Sequence, residues 1–185
     1  MPVTDTELDI TSFVEMGAPA LIDVDRILAV RDFQDETVSS FAGQPDIPRN
    51  VEVTLLDTNS SVVSGYVTVY GISATGKAIS EVFRPTPGGG SQTVSGKKMF
   101  AQVTKVVTVD VSGATGSDDY TVGMGNVIGL PMNILSAEAV STVYFNGAII
   151  ASPTITVGEN SSGIDVSSST YDGTKQLRAI VQRGK

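Results

Sequence analysis

Between residues 50 and 130 apolar side chains recur at every second position, and each run is cut by Gly, Ser, Thr or Asn. A period of two belongs to extended strands with one buried and one wetted face. Val51, Val53 and Leu55 share one parity, with Glu52 and Thr54 on the other, so a strand is predicted there. In residues 62–72 both parities are apolar or aromatic, Val63, Val67 and Val69 on one and Val62, Tyr66, Tyr70 and Ile72 on the other. That pattern predicts a strand covered on both faces, central in a sheet or at a subunit contact. The intervening 57–61 is rich in residues that hydrogen-bond their own backbone, which predicts an antiparallel hairpin joining the two strands. Ala74-Thr75-Gly76-Lys77 supplies the next turn, into a strand over 78–84, and residues 98–111 form another long β-rich run.

The ends of the chain read differently. Residues 1–25 carry Asp5, Glu7, Asp9, Glu15, Asp23 and Asp25 with no Lys or Arg, and the apolar set Phe13, Val14, Met16, Leu21 and Ile22. This composition predicts an N-terminal arm that docks on a basic neighbour, in competition with a solvated acidic terminus. Residues 26–31 read as a short strand and 33–43 as a loop or second short strand. Pro45 and Pro48 make 44–49 a rigid entry into the main β domain, placed at 26–131. Beyond Pro131 a smaller C-terminal β subdomain is expected over 132–185. Its clearest feature is a hairpin over 140–150 around Asn146-Gly147, the pair best suited to a type I′ turn. Leu177, Ala179 and Val181 alternate with Gln176, Arg178 and Gln182, which predicts a paired terminal strand.

Two loops invite a chemical reading. Pro85-Thr86-Pro87-Gly88-Gly89-Gly90-Ser91 lacks the Lys-Ser/Thr and following helix of a phosphate-binding loop, so an exposed hairpin tip is predicted. Ser112 to Asp119 places Asp118 and Asp119 near Asp110, oxygen ligands that suit calcium, without the EF-hand spacing. The glycines of Gly123-Met124-Gly125-Asn126-Val127-Ile128-Gly129 approach a dinucleotide fingerprint, but Pro131 follows closely, and a strand end and tight turn are predicted.

Composition narrows the function classes. The chain has neither Cys nor His, which removes disulfides, thiolate chemistry, a Ser-His-Asp triad and the usual zinc ligands. A paired-carboxylate hydrolase needs only two acids, with Glu52, Glu81, Asp110 and Glu138 as formal candidates. A sugar site is usually lined with stacking aromatics, and here Trp is absent and aromatic residues total 6%. No enzymatic activity and no cofactor are therefore expected. The net charge of −8 opposes binding to a phosphate backbone, and no nucleic-acid partner is expected. No run approaches the roughly 18 consecutive apolar residues of a membrane span. The N-terminus lacks the basic start and apolar run of a secretory signal, so synthesis in a cytoplasm and no membrane partner are expected. Asn59-Ser60-Ser61 and Asn160-Ser161-Ser162 are read as turn sequences instead of glycosylation sites.

One ordered set of motifs spans about half the chain: Pro48-Arg49-Asn50-Val51-Glu52-Val53; Gly65-Tyr66-Val67-Thr68-Val69-Tyr70-Gly71; Ala78-Ile79-Ser80-Glu81; Lys98-Met99-Phe100-Ala101-Gln102-Val103-Thr104-Lys105-Val106; and Val122 through Pro131. This set resembles small virion structural proteins of tailed bacteriophages. The resemblance implies an all-β protein, a β-sandwich or β-barrel, acting as a capsid decoration (cement) protein on the outer surface of the phage head. It further implies the major capsid protein as partner and self-association as a homotrimer. Contacts would then fall on the arm and the glycine-rich loops, with Phe13, Met16, Leu21, Ile22, Gly88, Gly89 and Gly90 as candidates. The alternatives are a tail or neck subunit of the tail-tube kind, and a host-surface module of the carbohydrate-binding kind, which the scarce aromatics disfavour.

Overall fold

The computed structural model describes residues 10–86, 88–166 and 171–183. Asp5, Glu7, Asp9 and Pro87, all invoked above, lie outside the described residues. The fold is all-β, with two antiparallel sheets packed together as a sandwich. Its strands are β1 (Ile10–Gly17), β2 (Leu28–Asp32), β3 (Glu36–Val38), β4 (Arg49–Leu56), β5 (Ser64–Ser73), β6 (Ala78–Phe83), β7 (Gln92–Ser112), β8 (Asp119–Gly129), β9 (Val140–Phe145), β10 (Ala148–Ile149), β11 (Thr154–Thr156), β12 (Gly163–Asp165) and β13 (Leu177–Arg183). No helix among the described residues is long and apolar enough to cross a membrane.

The large sheet runs β11-β12-β8-β4-β7-β5-β6. It bends back on itself until β2 pairs with β8 and β3 with β7, but it does not close into a barrel. The long strand β7 makes the bend by changing partners at Phe100. Before that residue it pairs with β4, and beyond it with β5, Phe100 standing opposite both Arg49 and Ser73. The inward parity of each strand fills the space inside the bend. Val51, Val53 and Leu55 of β4 meet Val67 and Val69 of β5, Val103 and Val106 of β7, and Tyr120 and Val122 of β8.

The hairpin predicted between β4 and β5 does not form. Both strands have the expected alternation, but β7 lies between them and the 57–63 segment crosses over it. Alternation fixes which face of a strand is buried and is silent on which strand lies beside it. The β5–β6 hairpin does form, through the predicted turn with Gly76 at φ +80°. As expected, β5 is central, flanked by β7 and β6, but among the described residues no second layer of strands covers its outer face. Its outer face is covered by cations: Arg84 lies 4.9 Å from the Tyr66 ring centre and Lys105 4.2 Å from that of Tyr70. Such contacts shield an aromatic from water without a second layer of strands.

The small sheet runs β1-β13-β9-β10. Here the arm expected over 1–25 takes another form: from Ile10 it is a strand, paired with β13 from Ile10–Arg183 to Gly17–Leu177. Val14 and Met16 explain the pairing, because both are buried in a second core with Val143, Phe145, Leu177, Ala179 and Val181. Each fully buried aliphatic side chain contributes about 1.5–3 kcal/mol, more than a free tail can gain from water. Across this core stand Ile128 and Leu130 at the end of β8 and Ile164 of β12. The chain therefore does not divide into separate cores at residue 131, since β12 pairs with β8 and β1 completes the sheet of the C-terminal strands. The Asn146-Gly147 turn has both residues at positive φ, +51° and +81°, as a type I′ turn requires.

Candidate functional site

Two motifs separated by more than seventy residues meet at the junction of the sheets. Arg49 is fully buried; its Nε donates to the Gly125 carbonyl oxygen at 2.8 Å, and its Nη1 to Asp46 Oδ1 at 2.8 Å and to the Ala20 carbonyl oxygen at 3.2 Å. The guanidinium also lies 5.8 Å from the ring centre of Tyr171, whose hydroxyl donates to the Asn126 carbonyl oxygen at 3.1 Å. Next to it, the Asn50 side chain accepts from Val127 N at 2.9 Å and donates to the Gly96 carbonyl oxygen at 3.0 Å. Glycine is required at 125, because a Cβ there would collide with the Asn50 amide. Gly129 N closes the set by donating to the Pro48 carbonyl oxygen at 2.7 Å. The 123–129 stretch is thus a β-strand whose Gly125 gives room to Asn50. Its chemistry is that of a structural clasp.

The clasp holds the segment leading from β1 to β2 against the body. Ala20 N donates to Asp46 Oδ2 at 2.6 Å, Gly173 N to the Pro19 carbonyl oxygen at 2.9 Å, and Met124 N to the Asp23 carbonyl oxygen at 3.0 Å. Gly123 admits this approach, since a Cβ there would strike Asp23 and Val24. With its backbone fixed, the segment turns Leu21 (55% exposed), Ile22 (38%) and Val24 (50%) outward beside the carboxylates of Asp23 and Asp25. The Asp23 carboxyl raises the pKa of Asp25 above the usual carboxylate range, chiefly through a side-chain hydrogen bond.

The remaining contact candidates divide. Phe13 is exposed on the outer face of β1, with the Arg178 guanidinium 5.9 Å from its ring centre and Glu15 bridging to Arg178 at 3.2 Å. Met16 faces the other way, is 7% exposed and packs in the second core, so it supports the fold and offers no surface. Gly88, Gly89 and Gly90 form the tip between β6 and β7, with Gly88 at φ +62° and Gly90 at +68°. Gln92 ties this tip by donating to the carbonyl oxygens of Thr86 and Gly90 and accepting from Thr86 N. The tip lies beside Asp57, at the opposite end of β4 from Arg49, and the structure does not bring it together with Leu21 and Ile22.

The aspartates proposed for calcium are also separated. Asp110 is exposed at a kink of β7, with φ +57°. Asp119 begins β8 opposite Leu56 and Asp32. Only Asp118 turns inward, where its neighbour is Asp57, a residue that composition gave no reason to pair with it. The Thr115 N–H holds the Asp118 carboxyl below the usual carboxylate range, against the opposing effect of burial, with the Thr115 and Ser61 hydroxyls adding to the lowering. Among the described residues no three carboxylates gather as a metal-binding group. Of the acids considered for hydrolysis, Glu52 accepts from Ser95 Oγ at 2.6 Å, and Glu81 accepts the backbone N–H of Lys97 and of Lys98.

Comparisons with protein-family models, with curated proteins and with solved structures returned no match.

Proposed function

We propose that the protein decorates the outer surface of a tailed-bacteriophage head as a homotrimer and clamps neighbouring subunits of the major capsid protein. The observation that carries this proposal is the clamped segment 18–25, which presents Leu21, Ile22 and Val24 beside Asp23 and Asp25 on a fixed backbone. Apolar side chains rimmed by charge make a contact surface. Fixing the backbone beforehand lowers the ordering cost of binding, and the two carboxylates favour a partner surface carrying Lys or Arg. A ligand of the assembled lattice that ignores loose subunits stabilises the shell by mass action. The virion assignment rests on the resemblance of the ordered motif set of β4 to β8, in which Pro48, Arg49, Asn50, Gly125 and Gly129 form one interlocked unit of the fold. The test is co-sedimentation of the full chain with shells lacking it. Saturable binding by the wild type, lost in Leu21→Ser/Ile22→Ser/Val24→Ser at unchanged thermal stability, is expected. Failure of the wild type to sediment with any shell, or equal binding by the triple variant, contradicts the proposal.

A further inference from the structure

At the end of the large sheet away from Arg49, two buried carboxylates converge on one residue, Ser61. Asp57 is 1% exposed and Asp118 0%, and neither forms an ion pair with Lys or Arg among the described residues. Asp118 Oδ2 is satisfied by Ser61 Oγ at 2.9 Å, Thr115 N at 2.7 Å and Thr115 Oγ1 at 2.8 Å. Its other oxygen, Oδ1, is buried without a hydrogen-bond partner. A buried carboxylate oxygen in that position calls for a cation or a proton.

The 57–61 turn gathers further oxygens at the same place. Ser61 N lies 3.0 Å from Asp57 Oδ1 and 3.0 Å from Asn59 Oδ1, while the Ser61 hydroxyl reaches Asp118. Asp57, Asn59 and Ser61 stand at alternate positions, the spacing by which a calcium loop converges its first three side chains. Ser60 at φ +57° makes the reversal, and Gly113 lets the 112–118 loop approach the Ser61 carbonyl where a Cβ would collide. Asn59 Nδ2 links the two loops at Thr115 Oγ1, 3.4 Å away.

We propose that these two loops bind a calcium ion, with Asp57, Asn59 and Asp118 supplying side-chain oxygens and the Ser61 and Thr115 hydroxyls completing the polar wall. All the donors are oxygens, which suits a hard cation, and calcium accepts about six to eight ligands in irregular geometry with water filling the remainder. Two carboxylates set the affinity in the weak range, a Kd of about 10⁻⁴–10⁻³ M. Ion binding would join the β4–β5 connection to the β7–β8 connection. It is independent of the capsid proposal.

The test uses the full chain, freed of metal by a chelator and titrated with calcium chloride against sodium chloride of equal ionic strength. Melting temperature and calorimetric heat are the readouts. A saturable rise in Tm and a matching heat are expected for the wild type and for Asp110→Asn. Asp118→Asn should lose both, and Asn59→Ala, at an exposed position, should weaken the calcium midpoint at least about tenfold. If Asp118→Asn does not fold, Asn59→Ala decides the matter. No calcium response by the wild type beyond the sodium control overturns the proposal, as does a wild-type response in Asn59→Ala or in folded Asp118→Asn, or its loss in Asp110→Asn.

Discussion

The Arg49 guanidinium donates to the carbonyl oxygen of Gly125 at 2.8 Å, between adjacent strands of the large sheet and beneath the ring of Tyr171 from the second core. One side chain thereby joins β4, β8, the 18–20 segment and the second core. It is the point at which the two sheets and the presented Leu21-Ile22 surface are coupled.

Replacing Arg49 by Met keeps much of the volume and strips every donor. The Ala20 and Gly125 carbonyls and Asp46 then lose their partner, and stability should fall by about 3 kcal/mol. Urea unfolding should show a lower midpoint at unchanged slope. Arg49→Lys should recover only part of the loss, because a single ammonium cannot reproduce the fork to three acceptors.

Gly125→Ala should destabilise by about 1–3 kcal/mol, since its methyl group meets the Asn50 amide and forces the β4–β8 ladder apart. The cost should shrink in an Asn50→Ala background, where the colliding amide is gone. Additive free energies in that double-mutant cycle would refute the contact.

Phe13→Ala and Met16→Ala should differ although three residues apart on one strand. Met16 packs in the second core, and its truncation should cost about 2–5 kcal/mol. Phe13 is exposed, and its loss should stay within about 0.5–1 kcal/mol, the worth of its contact with Arg178. Chemical denaturation of the pair checks the contrast.

Alkaline pH should destabilise the fold through two tyrosines. Burial pushes the Tyr171 hydroxyl up to about 12, and burial followed by the Glu36 carboxylate raises that of Tyr120 above its ordinary value of 10. A raised folded pKa means that the stabilisation is complete below the unfolded value and is lost as pH climbs through the folded one. Stability should therefore fall between pH 10 and 12, by up to about 1 kcal/mol per pH unit for each tyrosine. Tyr171→Phe should flatten that fall relative to the wild type, in melts taken across the same range.

The β class, the buried parities of β4 and β13 and the Asn146-Gly147 turn were legible because each depends on neighbours in sequence. Strand order was not. The β4–β5 hairpin was expected from a short polar connection, whereas β7 lies between the two strands. Met16 and Leu21 looked alike as apolar residues in an acidic segment. Only the partner strand β13 decides that Met16 points into a core while Leu21, past the strand's end, points out. The polar loop around Asp118 was legible, but that Asp57 and Asn59 stand beside it was not, because the β4–β8 and β5–β7 pairings that bring the two loops together link residues far apart in sequence. Arg49 was visible as a motif residue, but its role was hidden, since its acceptors lie at Asp46, Ala20 and Gly125.

The most direct test is imaging of shells lacking the protein after incubation with the purified full chain. Trimeric density on the outer surface at threefold positions, with residues 21–25 against the major capsid protein, is the predicted result. Bare shells accompanied by rings or tubes of the free protein would contradict the decoration role and place the chain in the tail.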